Sequence, residues 1–254
     1  MVHGSGGSLD RRPHYRPRLP PDRPPSPQRS NPPACPMNRA AWDEHARQRQ
    51  DFETPTPSPA PGRMHWTQHM SDGPGAEILG DLGGATVVEL GCGAGHHLAH
   101  LVAYRGARVM GVDIARGQIA RARARYGHLP GVAFTAGDAV EFLTKTEMKF
   151  DACYSVFGAV GLTPPDLLLP AITDTLRPRG LLAFSVPHPD RRGRLMRDTL
   201  ILPFGNRLPI QRWEPAVSAW PSLLARAGLR VQDLHEVSNA SANPLTLIIT
   251  ARSL

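Results

Sequence analysis

Val87-Val88-Glu89-Leu90-Gly91-Cys92-Gly93-Ala94-Gly95-His96 is the stretch whose reading decides the fold. A short run of strand type enters a loop with glycines at 91, 93 and 95. Glycine lets the backbone turn sharply and come close to a ligand. The helix expected after Gly95 offers its first N–H groups to an anionic group. Asp113 closes the next strand-type run, 22 residues after Gly91. A carboxylate there can accept from both hydroxyls of a ribose. A nucleotide is the expected ligand.

Working outward, strands and helices alternate. Strands are predicted at 85–90, 107–113, 131–138, 149–157 and 180–189. Helices are predicted at 95–106, 115–127, 165–176 and 214–228. Strands with continuous apolar runs belong in a parallel sheet covered on both faces. Two further strand-type runs, 229–237 and 245–252, have no helix between them and predict a closing hairpin. The expected fold is α/β: a Rossmann-like, doubly wound sheet of seven strands, five parallel plus a C-terminal hairpin whose last strand is antiparallel.

The glycine spacing is GxGxG, with an acid two positions before the first glycine; the dinucleotide fingerprint is GxGxxG. Val87–Gly95 resembles motif I of the class I S-adenosylmethionine-dependent methyltransferases. Gly111-Val112-Asp113 is similar to that family's second motif, and Gly137-Asp138-Ala139 to its third. Phe150-Asp151-Ala152-Cys153-Tyr154-Ser155 resembles the fourth. Leu176-Arg177-Pro178-Arg179-Gly180 resembles the L-x-P-G-G turn before strand five, with Arg179 in place of the first glycine of the pair. The resemblance covers about 85–187. It implies S-adenosylmethionine as the cofactor and S-adenosylhomocysteine as the spent product. It further implies a cofactor site built from Glu89, Gly91, Cys92, Gly93, Gly95, Asp113, Ile114, Asp138, Ala139 and Tyr154. Asp113 would bind the ribose and Asp138 the adenine amino group.

The ends of the chain read differently. Residues 1–36 hold ten prolines and a net charge of +4. Such a segment buries too little apolar surface to order itself and is expected to be a disordered tail. Met37 follows directly and is an alternative start. Residues 37–84 form an N-terminal helical lid segment, with a helix over 38–51 capped by Asn38, an extended Pro-rich connector, and a helix near 74–82. Residues 85–254 form the methyltransferase domain, with a lid insert at 188–213.

The net charge is +7, and the 218 residues after the tail carry only +3 of it. Nucleic acid is therefore an unfavoured partner for the body. No run of about 20 apolar residues is present for a membrane span. No secretory signal is visible, and a cytoplasmic location is expected. Three scattered cysteines show no metal-ligand spacing, so no metal is expected.

The fourth motif lacks the Asn/Asp-Pro-Pro-aromatic run of amino-methylating DNA enzymes. The acceptor is expected to be a small molecule, a secondary metabolite methylated on O, N or S. Trp66, His69 and Phe157 are candidate lid and acceptor contacts. His96 and His97 open the helix after the glycine loop, so that one of them reaches the donor or packs beside it. His188, between two prolines at the end of strand five, is the candidate general base; a loop histidine fixed by those prolines is the alternative. Two other function classes remain: an RNA or protein methyltransferase using the basic tail, and a non-catalytic donor-binding module. The oligomeric state is not fixed by the sequence.

Overall fold

The first strand, β1 (Thr86–Leu90), alternates its side chains between two layers. Val88 and Leu90 pack with one core cluster, whereas Val87 packs with another on the opposite face. This is the pleat of a strand buried on both sides. The computed structural model describes residues 36–50, 56–68, 73–190, 199–238 and 243–254. Of the tail expected at 1–36, residues 1–35 lie outside the described residues, as do His69 and the basic stretch 191–198, while Pro36 opens a helix.

The sheet continues with β2 (Arg108–Asp113), β3 (Val132–Ala136), β4 (Phe150–Val156), β5 (Leu176–Pro187), β8 (Leu229–Ser238) and β9 (Pro244–Ser253). Its order is β3-β2-β1-β4-β5-β9-β8. The first five strands are parallel to one another, while β9 runs antiparallel to both β5 and β8. The predicted seven-stranded sheet with an antiparallel last strand is the observed one. β9 enters between β5 and β8, so the hairpin closes inward onto the sheet.

Helices α2 (His96–Arg105) and α3 (Arg116–Tyr126) cover one face. Helices α4 (Ala139–Lys145), α5 (Pro165–Thr175) and α6 (Trp220–Arg226) cover the other. α4 is absent from the sequence reading. Its signal is Asp138-Ala139-Val140-Glu141: Asp138 is the N-cap, and its Oδ1 accepts from the Glu141 N–H at 2.9 Å. The helix expected at 74–82 is a single 3-10 turn, Ala76–Leu79, stopped at Gly80 with φ +75°. The helix expected from 214 begins at Trp220, with Pro221 in its first turn.

Two further pieces sit at the C-terminal ends of the parallel strands. Helix α1 (Pro36–Gln50) packs on α3, so closely that a Cβ on Gly117 would lie 2.8 Å from Ala46. A small hairpin, β6 (Thr199–Ile201) and β7 (Arg207–Pro209), packs against α1 around Ala41, Leu200, Leu202 and Ile210. α1 starts two residues before Asn38, which is therefore no cap. Its buried amide accepts from the Gln211 N–H at 2.7 Å and donates to the Gln211 carbonyl at 2.9 Å and the Leu162 carbonyl at 3.2 Å.

Candidate functional site

A cavity of about 830 Å³ lies between the strand ends and these added pieces. One wall is the glycine loop. Gly91 has φ +80°, and a Cβ there would stand 2.6 Å from Gly158 Cα. The loops after β1 and β4 thus touch glycine to glycine. The Leu90 carbonyl ties them further, accepting from the Ser155 hydroxyl at 2.8 Å and the Ala159 N–H at 3.1 Å. Gly93, at φ +53°, has no atom within 4 Å of the place a Cβ would take. It lines the cavity and leaves space for a ligand against the backbone. Gly95 does not line the cavity: its missing Cβ makes room for the Phe134 ring, 2.8 Å away.

Asp113 ends β2 with both oxygens held by the backbone. Oδ2 accepts from Gly93 N–H at 2.8 Å and Oδ1 from Ala115 N–H at 2.9 Å. An ionised carboxylate has about four lone-pair sites, so two remain for a diol. Burial, aided by the Glu89 and Asp43 carboxylates, pushes the Asp113 carboxyl up to about 6 against the pull of those two N–H groups. Asp138 and Ala139 line the cavity at the exit of β3, and Ile114 follows Asp113. The residues present therefore fit a ribose-bearing donor: a cradle open at Gly93, a fixed carboxylate at Asp113 and a second acid at Asp138.

Glu89 is 2 % exposed, lines the cavity and has both oxygens engaged. Oε2 accepts from the Tyr154 hydroxyl at 3.0 Å, and Oε1 lies 3.2 Å from His97 Nδ1. Glu89 and Tyr154 are register partners on adjacent parallel strands, so their side chains share one face. Tyr154 is fully buried and does not line the cavity; its expected place in the cofactor site is corrected to a support beneath Glu89. Burial and the Glu89 carboxylate push its hydroxyl far up, which keeps it a donor. Cys92 lines the cavity, and burial beside Asp113 and Glu89 raises its thiol in the same way, leaving it an inert packing group.

Two other expectations change. Trp66 is fully buried, edge-on to Tyr154 at 6.0 Å, with its indole N–H on the Gly75 carbonyl at 2.9 Å. It is an anchor in the core, and its neighbours Arg63, His65, Thr67 and Gln68 line the cavity instead. His188 is 1 % exposed and lies outside the cavity lining. Its Nδ1 accepts from the Asp190 N–H at 3.1 Å, and its Nε2 faces Glu236 Oε2 at 3.0 Å. The two prolines and the pairing of His188 N–H with the Leu245 carbonyl turn it toward the hairpin. Among the described residues the expected base therefore stands apart from the cavity lining.

Phe157 does line it, with an unusual φ of +48°. A non-glycine residue in this region stores strain of about 1–3 kcal/mol and is commonest at ligand sites. Trp42 and Asn38 of α1, Leu162 and Leu167 after β4, and Gln211 and Trp213 after β7 complete the wall. The sequence reading singled out none of these but Asn38. Among the described residues no three His, Cys, Asp or Glu side chains are placed to hold a metal ion. No helix there is long and apolar enough to cross a membrane.

Comparison with known proteins agrees with this geometry. Residues 87–180 match a family model described as a methyltransferase domain. A trans-aconitate 2-methyltransferase of Deinococcus radiodurans is 36 % identical over 118 residues, 45 % of this chain and 43 % of the relative. A second, from Methylobacterium nodulans, is 38 % identical over 41 % of this chain and 38 % of its own length. The chain thus spans less than half the length of these curated relatives. Among solved structures, the Burkholderia thailandensis 1,6-didemethyltoxoflavin-N1-methyltransferase, bound to its substrate and S-adenosylhomocysteine, is 25 % identical. It covers 70 % of this chain and 74 % of its own, with TM-score 0.52. The [4+2]-cyclase SpnF shares the fold with TM-score 0.61 at 17 % identity, covering 87 % of this chain and 98 % of its own. With the ordered motifs, the β3-β2-β1-β4-β5-β9-β8 sheet and the family match in hand, residues 87–180 carry a methyltransferase domain.

Proposed function

We propose that this protein transfers the methyl group of S-adenosylmethionine to a small-molecule acceptor. The observation that carries this reading is the cavity itself. At about 830 Å³ it sits in the upper part of the roughly 300–1,000 Å³ range of small-molecule sites, with room for a nucleoside-sized donor and a second small molecule. One side presents the glycine loop, Asp113 and Asp138. The other side presents Trp42, Phe157, Leu162, Leu167 and Trp213, an apolar, partly aromatic surface suited to a flat organic acceptor.

Bound there, the donor supplies a methyl group already activated by its sulfonium. The protein's part is to align and to dry the site. Asp113 and Asp138 hold the donor end. α1 and the segment around the β6–β7 hairpin close over the other end and exclude water. In this reading residues 37–84 and 188–213 are the cover, 85–254 is the catalytic domain, and the tail expected at 1–36 is dispensable up to Pro36, which opens α1. The relatives that are trans-aconitate and didemethyltoxoflavin methyltransferases support a small acceptor. A secondary metabolite is the finer reading.

The cyclase with the same fold favours a second reading, in which the cavity binds the donor without transferring its methyl group. Calorimetric titration of the full chain with S-adenosylhomocysteine tests the donor site, and no binding would overturn both readings. Incubation with S-adenosylmethionine and a panel of hydroxyl, carboxyl and amine acceptors then separates them. A methylated product supports transfer, whereas binding with no product across the panel favours the second reading.

A further inference from the structure

His97 stands at the second position of α2 and lines the cavity, beside the glycine loop. Its Nδ1 lies 3.2 Å from Glu89 Oε1, while Glu89 Oε2 is held by the Tyr154 hydroxyl at 3.0 Å. Tyr154 is in turn backed by Trp66. A carboxylate can only accept, so the proton of a neutral His97 sits on Nδ1 and its lone pair is on Nε2. Nε2 bonds no group among the described residues, and the ring is about one quarter exposed. A buried carboxylate that fixes the tautomer of a cavity-lining imidazole is the arrangement by which a histidine is made a base.

We propose that His97 takes the proton of the acceptor and that Glu89 is its positioning residue. The acceptor class follows: a neutral hydroxyl, which has a proton to lose as it is methylated. A carboxylate is ionised at neutral pH and needs no base. As the hydroxyl oxygen forms its bond to the methyl carbon, the carbon–sulfur bond breaks and its electron pair stays on sulfur. The O–H proton passes to Nε2, so the positive charge lost from sulfur reappears on the imidazolium, next to Glu89. Release of that proton to water resets the site. The inference rests on the methyl-transfer reading above.

Glu89 faces the ring from the sheet, with Tyr154 behind it, and His65, from the segment before β1, is close enough to act on it electrostatically. His65 is the competitor. It too lines the cavity, and its Nδ1 is buried without a hydrogen bond. Among the described residues no carboxylate orients it, and burial with the nearby Arg63 lowers its affinity for a proton.

The test uses the full chain and four variants: His97→Gln, Glu89→Gln, His65→Gln and His188→Gln. Nitrogen NMR of the imidazoles, with and without S-adenosylhomocysteine, reads the tautomer directly. His97 is expected as the Nδ1–H form, and its preference for that form is expected to weaken in Glu89→Gln. Calorimetry with S-adenosylhomocysteine is expected to change less than threefold in His97→Gln. Single-turnover methylation of catechol, a hydroxyl probe, is expected to fall about 10²–10⁴-fold in His97→Gln and to lose its acidic limb. It is expected to keep that limb in His65→Gln and His188→Gln. An Nε2–H tautomer, a tautomer balance unmoved in Glu89→Gln, or loss of the limb in His65→Gln would overturn the proposal. So would methylation of trans-aconitate but not catechol, at a rate unchanged in His97→Gln. If neither probe reacts, the tautomer and its coupling to Glu89 decide. Failure of the parent chain to bind S-adenosylhomocysteine would instead overturn the methyl-transfer reading itself.

Discussion

The donor wall and the cover of this cavity are built in opposite ways. Each donor-wall residue stands at or just beyond the C-terminal end of its own strand: Gly91 and Gly93 after β1, Asp113 at the end of β2, Asp138 after β3. A parallel sheet brings such ends to one edge without further instruction. The cover is held by contacts across long stretches of chain. Asn38 bonds Gln211, 173 residues away, and Leu162, 124 residues away. The Phe204 N–H reaches Gln48 Oε1 at 3.4 Å across 156 residues. The donor wall is thus specified locally and the cover globally. The donor wall is expected to be rigid and the cover to open at lower free energy.

The comparison breaks most directly at the glycine contact. In Gly91→Ala the new Cβ meets Gly158 backbone at 2.6 Å, in a left-handed conformation that only glycine adopts freely. Strain from handedness and overpacking together predict a loss of about 2–5 kcal/mol, with donor binding lost. Thermal unfolding and S-adenosylhomocysteine calorimetry check this. An unchanged melting temperature would show that the two loops part without cost.

Asp113→Ala has the next largest effect, aimed at binding. Losing hydrogen bonds to a buried charge costs about 1.5–3 kcal/mol, a drop in S-adenosylhomocysteine affinity of about 10–150-fold. Its pH dependence has a definite sign. The ionised carboxylate accepts from the diol, and in the free protein this carboxyl is pushed up to about 6. Affinity is therefore expected to hold at pH 7.5 and to weaken as pH falls through 6. An affinity flat from pH 7.5 to 5 would remove Asp113 from the site.

Asn38→Ala probes the other side. It strands the Gln211 N–H and carbonyl and the Leu162 carbonyl, at about 1–3 kcal/mol. Hydrogen exchange is expected to quicken over α1 and the β6–β7 hairpin, while S-adenosylhomocysteine affinity moves less than threefold. Exchange quickening equally in β1 and β2 would mean that cover and donor wall open as one unit.

Arg179→Gly has the smallest effect and lies at the opposite end of the strands. Arg179 holds φ +62°, where the family's turn has glycine. Relieving that conformation is expected to stabilise the protein by about 1 kcal/mol, roughly 2–4 °C for a chain of this size, with donor affinity unchanged. A melting temperature that falls would mean the arginine side chain contributes more than its backbone costs.

What the sequence determined by itself is whatever short-range chemistry encodes. The apolar runs and their spacing gave the seven-stranded sheet and its antiparallel end. The glycine loop, Asp113 and Asp138 were legible because each needs only its own strand and the following turn. Even α4, absent from the reading, was written locally in Asp138-Ala139-Val140-Glu141. The tertiary structure alone decided what faces what. Trp66 became a core anchor because the segment before β1 folds back onto Tyr154. Tyr154 left the ligand site because register sets it beside Glu89 under the sheet edge. His188 turned from the cavity because β9 enters beside β5 and pairs with it. His97 faces the cavity instead, with Glu89, one strand-to-helix turn away, beside its ring. Side-chain direction at a sheet edge depends on which strand pairs next door and in what register. That choice is made by burial summed over the whole sheet, and no window of sequence contains it.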